Sequence, residues 1–172
     1  MRCELECGCS SVSRNHGGPV AGGVPNAYGN GIFNDGTLIL IHTDVVGNTG
    51  GFDVAAGGGI FNRGDARLVE SRVSGNTSFS SSTGASGGGI YNGGSMTLTE
   101  TPVSHNSVTS PGGFVRGGGI DNDGHLRLVK SPVFANVADG FDPDGGGVFN
   151  LGNVALIDSP VTGNIPNDCV GC

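Results

Sequence analysis

Apolar residues recur along this chain in columns a fixed distance apart, not in helical stripes. With Gly36 of NDGTL as a mark, equivalent glycines fall at Gly64, Gly94, Gly124 and Gly152, at intervals of 28, 30, 30 and 28 residues. A period of that length signals a solenoid or an array. One apolar column holds Ile32, Ile60, Ile90, Ile120 and Val148, and the next Leu38, Ala66, Met96, Leu126 and Val154. Then come Leu40, Leu68, Leu98, Leu128 and Leu156, followed by Val45, Val73, Val103, Val133 and Val161. TLIL, ARLV, MTLT, LRLV and VALI alternate with period two, the strand signature, and no segment sustains a helical pattern over three turns. Each unit therefore predicts about three short strands. A unit that small cannot bury its inward face alone, but stacked copies can, at the ~4.8 Å spacing of paired strands. All copies run the same way, so the stacked strands are parallel. The expected fold is all-β: a parallel β-helix of about six coils of 28–30 residues, forming one domain over residues 1–172.

Two asparagine columns accompany the apolar ones. Asn34, Asn62, Asn92, Asn122 and Asn150 each precede a Gly by two positions, and Asn15, Asn48, Asn76, Asn106, Asn136 and Asn164 close the units. Stacked amides can hydrogen-bond along the axis as ladders. Asn and Gly also tolerate the left-handed conformation, which is the expectation for the Asn-x-Gly corner. Residues 2–15 align without gaps to residues 63–76. That alignment puts Leu5 at an inward position, Cys7 in the leucine column and Val12 in the valine column, so residues 1–15 form an incomplete first coil. Residues 165–172 form a Cys-containing tail. All length variation lies between the second Asn and the next Gly triplet, which predicts a row of loops down one edge, the usual binding side of a solenoid.

Composition narrows the partners. Gly and Pro together make 43 of 172 residues, 25%, a level that suggests disorder unless the glycines are periodic, as they are here. Net charge is −7 with only 8 Lys and Arg, which argues against nucleic acid. No apolar run approaches the ~20 residues of a membrane span. The start, MRCELECGCS, lacks the apolar stretch of a signal peptide.

The repeat GGGIYNGGSMTLTETPVSHN resembles that of bacterial right-handed parallel β-helix proteins of the pectin-lyase-like superfamily. Its GG-x-[IV] element is similar to the repeats of chlamydial polymorphic outer-membrane proteins, and NIPNDCVGC resembles the close that follows the last repeat in such chains. The resemblance implies right-handed winding and an extracellular or cell-surface location. It implies a non-catalytic structural or adhesive module, with a polysaccharide or cell-surface partner. Two alternatives accompany it: a small polysaccharide lyase or hydrolase, and a fragment of a longer structural β-helix.

Candidate chemistry is sparse. Phe33, Phe61, Tyr91, Asp121 and Phe149 follow the isoleucine column directly, so alternation turns them outward. The four rings are glycan-contact candidates; alternatively they cover one another or lie beneath the loops. If the chain is an enzyme, Asp121, Asp123 and Arg127 are its catalytic candidates, since paired carboxylates suit glycoside chemistry. Against that, the neighbours of Asp121 are Tyr91 and Phe149, and Asp123 sits at a variable corner position. Asp139, Asp142 and Asp144 form a weak calcium candidate; no other cofactor is expected. His16, His42, His105 and His125 occupy four different columns and offer no zinc spacing. Cys3, Cys7 and Cys9 lie at one end and Cys169 and Cys172 at the other. Five coils separate the ends, on the order of 25 Å at the strand spacing, beyond the reach of a disulfide. Pairing is therefore local to each end or between molecules, the latter allowing end-to-end self-association through the open first coil. Odd thiols left by a truncated reading of a longer β-helix are the remaining account.

Overall fold

The computed structural model describes residues 3–5, 10–17, 26–51 and 54–172. It is a parallel β-solenoid of about five full turns plus an incomplete one, with no helix among the described residues. One turn, beginning at Ile60, crosses five faces. Ile60–Asn62 lies on an isoleucine face, Asp65–Val69 on a leucine face and Arg72–Ser74 on a valine face. Thr77–Phe79 and Gly84–Ser86 then form two arc faces. The first three faces are six-stranded sheets and the arc faces are five-stranded, with every pairing parallel. Register joins like to like: Ile60 pairs with Ile32 and Ile90, Leu68 with Leu40 and Leu98, Val73 with Val45 and Val103. The apolar columns thus become one continuous core in which Ile60, Leu68, Val73, Ile90, Leu98 and Val103 have no exposed surface.

The arcs differ from the expected loops. They carry two strands per turn, and Ala55, Ala85, Val108, Val115 and Ala138 form a second, smaller core between them. A turn therefore has five strands, not three. The apolar pattern hid the other two because their inward residues are mostly Ala, Ser or Gly, which fill a thin lobe without raising hydrophobicity. The loops proper are the short tips between the two arc strands.

Both asparagine columns are buried amide ladders. Asn34, Asn62 and Asn92 each donate from Nδ2 to the Oδ1 of the next turn at 2.6–2.8 Å, and Asn122 does the same to Asn150 at 2.6 Å. The second ladder runs from Asn15 to Asn164 at 2.8–3.0 Å. There each backbone N–H from Asn15 to Asn136 also donates to the next Oδ1, and each Nδ2 from Asn48 onward donates to a carbonyl of the preceding turn. All amides point the same way, so their positive ends face the C-terminus. There the Asp168 carboxylate accepts from both nitrogens of Asn164 at 2.8 and 3.0 Å and ends the ladder with an anion. Thr43, Ser71, Thr101, Ser131 and Ser159 make a third ladder, in which backbone N–H groups donate to the hydroxyl of the next turn at 2.9–3.2 Å.

Two local expectations change. The Asn-x-Gly corner does not use the left-handed region: Gly64 has an ordinary φ, and a Cβ there would collide with the carbonyl oxygen of Gly36 in the neighbouring turn. Glycine is needed for close approach between turns. Left-handed corners lie elsewhere: at the first Gly of each triplet, before each closing Asn, and at His42, Glu70, Glu100, Lys130 and Asp158, the last five with φ of 45–49°. The side chains of those five project into solvent, where Glu70 meets His42 at 2.8 Å and Lys130 meets Glu100 at 3.5 Å. In the first coil, Cys3 pairs with Leu38 and Leu5 with Leu40, so Leu5 and not Cys7 takes the leucine column. Val12 pairs with Val45, leaving seven residues from Leu5 to Val12 against five from Leu40 to Val45. The gapless alignment missed those two extra residues, which fall before Ser10 in a stretch where Cys7 and Cys9 lie outside the described residues.

Candidate functional site

The second arc face and the isoleucine face meet at the Gly triplets, and their outward sides converge on a cleft of about 670 Å³. The residues just before the triplets form one column, Tyr28, Ala56, Ser86, Arg116 and Asp144, whose first three members line the cleft. The residues after the isoleucine column form the other, in which Phe33, Phe61 and Tyr91 line the cleft and Asp121 and Phe149 continue beyond it. Gly57, with φ of 68°, allows the sharp turn between walls, a conformation that a side chain would strain.

The rings stack on each other. Phe33 and Phe61 have centroids 5.2 Å apart at 7°, and Phe61 and Tyr91 4.8 Å apart at 13°. Tyr28 reaches across to Phe61 at 5.0 Å, tilted by 43°. Phe61 is consequently only 7% exposed, whereas Phe33 is 47% exposed at the end of the stack. Among the rings that line the cleft, the most exposed are Phe33, Tyr28 and Phe114 on the far wall, and Tyr91 is half-buried. Phe149 is buried away from this opening, beneath the Arg116 guanidinium at 4.8 Å; the same guanidinium lies 5.0 Å from the Phe114 ring.

Asp121 interrupts the ring column and is 5% exposed. Its Oδ1 has no hydrogen-bond partner. Burial, reinforced by the charge of Asp123, pushes its carboxyl up to about 7, while a hydrogen bond with Ser86 and the Arg116 charge pull the other way. Asp123, at the corner, accepts the Tyr91 hydroxyl at 2.8 Å. Burial, followed by the hydrogen bond and charge of Asp123, raises the Tyr91 phenol well above its ordinary value. Arg127 stands apart, on the leucine face, where its column is Ile39, Arg67, Thr97 and Ala155. It lines a separate depression with His125 and Asn153. The three catalytic candidates are therefore one buried acid, one corner acid bonded to a tyrosine, and one cation on another face.

The calcium candidate is not assembled: among the described residues no group of three His, Cys, Asp or Glu side chains is arranged to hold a metal ion. Asp144 instead accepts from Gly145 N at 3.1 Å and from Asn167 Nδ2 at 2.9 Å, and Asp139 and Asp142 are exposed. Cys169 and Cys172 form a disulfide beside the strand Cys169–Val170, which closes the last turn by pairing with Val148–Phe149. The Cys3 side chain, like Cys7 and Cys9, lies outside the described residues.

No protein-family model matches the chain, nor does any curated protein or solved structure. Sequence reasoning missed Tyr28, Ser86 and Phe114 as parts of the site. A signal existed, since the residue before each Gly triplet stands at a fixed offset and must form a column.

Proposed function

We propose that this chain is a non-catalytic, secreted or surface-displayed module: a right-handed parallel β-helix of the pectin-lyase-like kind that contacts a glycan at the mouth of its aromatic cleft. One observation carries the reading. A scaffold tied by amide ladders leaves Tyr28, Phe33 and Phe114 40–52% exposed around one concave site. Exposed rings in a cleft suit the flat C–H face of a sugar, and apolar concavities with a few polar groups are the usual form of binding sites. Right-handed winding is supported by the general handedness of parallel crossovers. The non-catalytic part rests on Arg127 lying on another face from Asp121 and Asp123 and on Asp123 being engaged by the Tyr91 hydroxyl, because acid–base chemistry needs its groups free and within reach of one bond.

The test is a glycan array probed with the native chain and with Phe33→Ala, run beside a polysaccharide-degradation screen. The expected outcome is retention of a defined glycan set that weakens several-fold in the variant, with no product released. Release of oligosaccharides from any polymer would sink the non-catalytic reading, and a blank array would sink the glycan one.

A further inference from the structure

The cleft has ends, and the ends limit what fits. Along the arc wall the column runs Tyr28, Ala56, Ser86, Arg116. Its outward companions on the same strands include Val54, Gly84 and Phe114. Small side chains floor the middle two turns, and Tyr28 with Phe33 on one side and Phe114 on the other rise as end walls. The strands that carry Tyr28 and Phe114 are three turns apart, about 14 Å between backbones at the ~4.8 Å strand spacing. Once the end-wall side chains are counted, room remains for one ring or two fused rings. A polymer lying along the solenoid axis would meet both walls.

The lining also selects. Phe61, Val54, Ala55, Ala56, Gly84 and Ala85 bear no hydrogen-bonding side chain, and the lining's hydroxyls belong to Tyr28, Thr83, Ser86 and Tyr91; a hydroxyl left unpaired against the apolar part would be penalised. Among the described residues one charged side chain lines the cleft, that of Arg63. It lies at the corner beside Gly93, whose missing side chain keeps that rim open, and its charge is felt at the Tyr91 hydroxyl. Among the described residues it makes a single exposed ion pair, Nε to Asp35 Oδ1 at 3.4 Å. Such a contact is worth little and leaves the rest of the guanidinium fork available for a carboxylate.

We propose that the floor of this cleft binds a small aromatic carboxylate, its ring between the end walls and its carboxylate on Arg63. The inference rests on the cleft being a binding site, and is independent of the glycan contact at its mouth.

Three ring-matched probes test it by fluorescence titration: 2-naphthoate, neutral 2-naphthalenemethanol and cationic 2-naphthylmethylammonium. Naphthoate should bind about tenfold tighter than the neutral probe, the usual worth of one charge-assisted contact, with the cation weakest. Arg63→Gln should erase that ranking while keeping the neutral probe's affinity. Ala56→Leu, filling the floor, should abolish binding of all three. Phe114→Ala, at a half-exposed position where folding is not at stake, should weaken all three several-fold. Equal affinity for the three probes, a ranking that survives Arg63→Gln, or no binding up to the solubility limit would overturn the proposal. Glycan binding without a naphthoate preference defeats this inference alone. A naphthoate preference beside a blank glycan array defeats the glycan reading alone.

Discussion

The body of the solenoid and its arc lobe are built by the same pairing and filled in opposite ways. In the body every turn repeats the last: leucine on leucine, valine on valine, amide on amide. In the lobe the turns differ, apart from the inward Ala27, Ala55 and Ala85. The column before the Gly triplet reads Tyr, Ala, Ser, Arg, Asp, and the inward residues of the first arc face read Gly50, Ser78, Val108 and Ala138. Uniform columns make a scaffold whose energy is shared by all turns. Varied columns make local shape, here a floor two turns long with a wall at each end. Stability should accordingly concentrate in the body, and changes in the lobe should alter the cleft at small thermodynamic cost.

Substitutions ranked by size can break that division. The largest effect is expected from Asn106→Ala in the middle of a ladder. It removes four buried hydrogen bonds: two accepted from Asn76 and two donated, to Val73 O and Asn136 Oδ1. With partners left unsatisfied at roughly 1–3 kcal/mol each, the loss should be about 4 kcal/mol or more by urea unfolding. A loss below about 1 kcal/mol would mean the ladders are decoration.

Next comes pH. The Asp121 carboxyl titrates near 7 in the folded chain and near 3.9 when unfolded. The native state holds the proton more tightly, so no penalty exists below about pH 4. It grows as pH rises from 4 to 7 and is constant above. Asp121→Asn should flatten the stability–pH curve across that window and gain up to about 4 kcal/mol relative to the native chain at pH 8, by linkage. An unchanged curve would show that Arg116 and Ser86 already compensate the charge.

The smallest effect is expected from Val115→Ala, fully buried in the lobe core. Loss of two methyl-sized groups there should cost about 1–2 kcal/mol, against about 2–5 kcal/mol for Leu98→Ala in the body. If the two costs were equal, the lobe would be as much scaffold as the rest.

Much of this was legible from residue spacing. A column at fixed offset from Gly36, Gly64 and Gly94 must stack, so the isoleucine, leucine, valine and asparagine ladders follow from counting. The arc sheets were not legible, because Ala55, Ser78 and Ala85 are inward residues that no hydropathy pattern separates from a loop. Nor was the fate of the rings. Turns spaced by one strand width sit at aromatic stacking distance, so Phe33, Phe61 and Tyr91 could either display their faces or consume them, and spacing cannot choose. Leu5 shows the complementary limit: two additional residues before Ser10 shift the register, and only the pairing with Leu40 reveals it.

The sequence by itself thus determined a parallel solenoid, its repeat and its polar ladders, because those depend on which residues recur. The tertiary structure alone decided that the second arc face meets the isoleucine face at a cleft, that Phe33, Phe61 and Tyr91 stack on one another, and that Asp121 is buried. Each of these depends on side chains that do not recur. What one turn does there is set by contact with the unlike turn beside it, and periodicity carries no information about that contact.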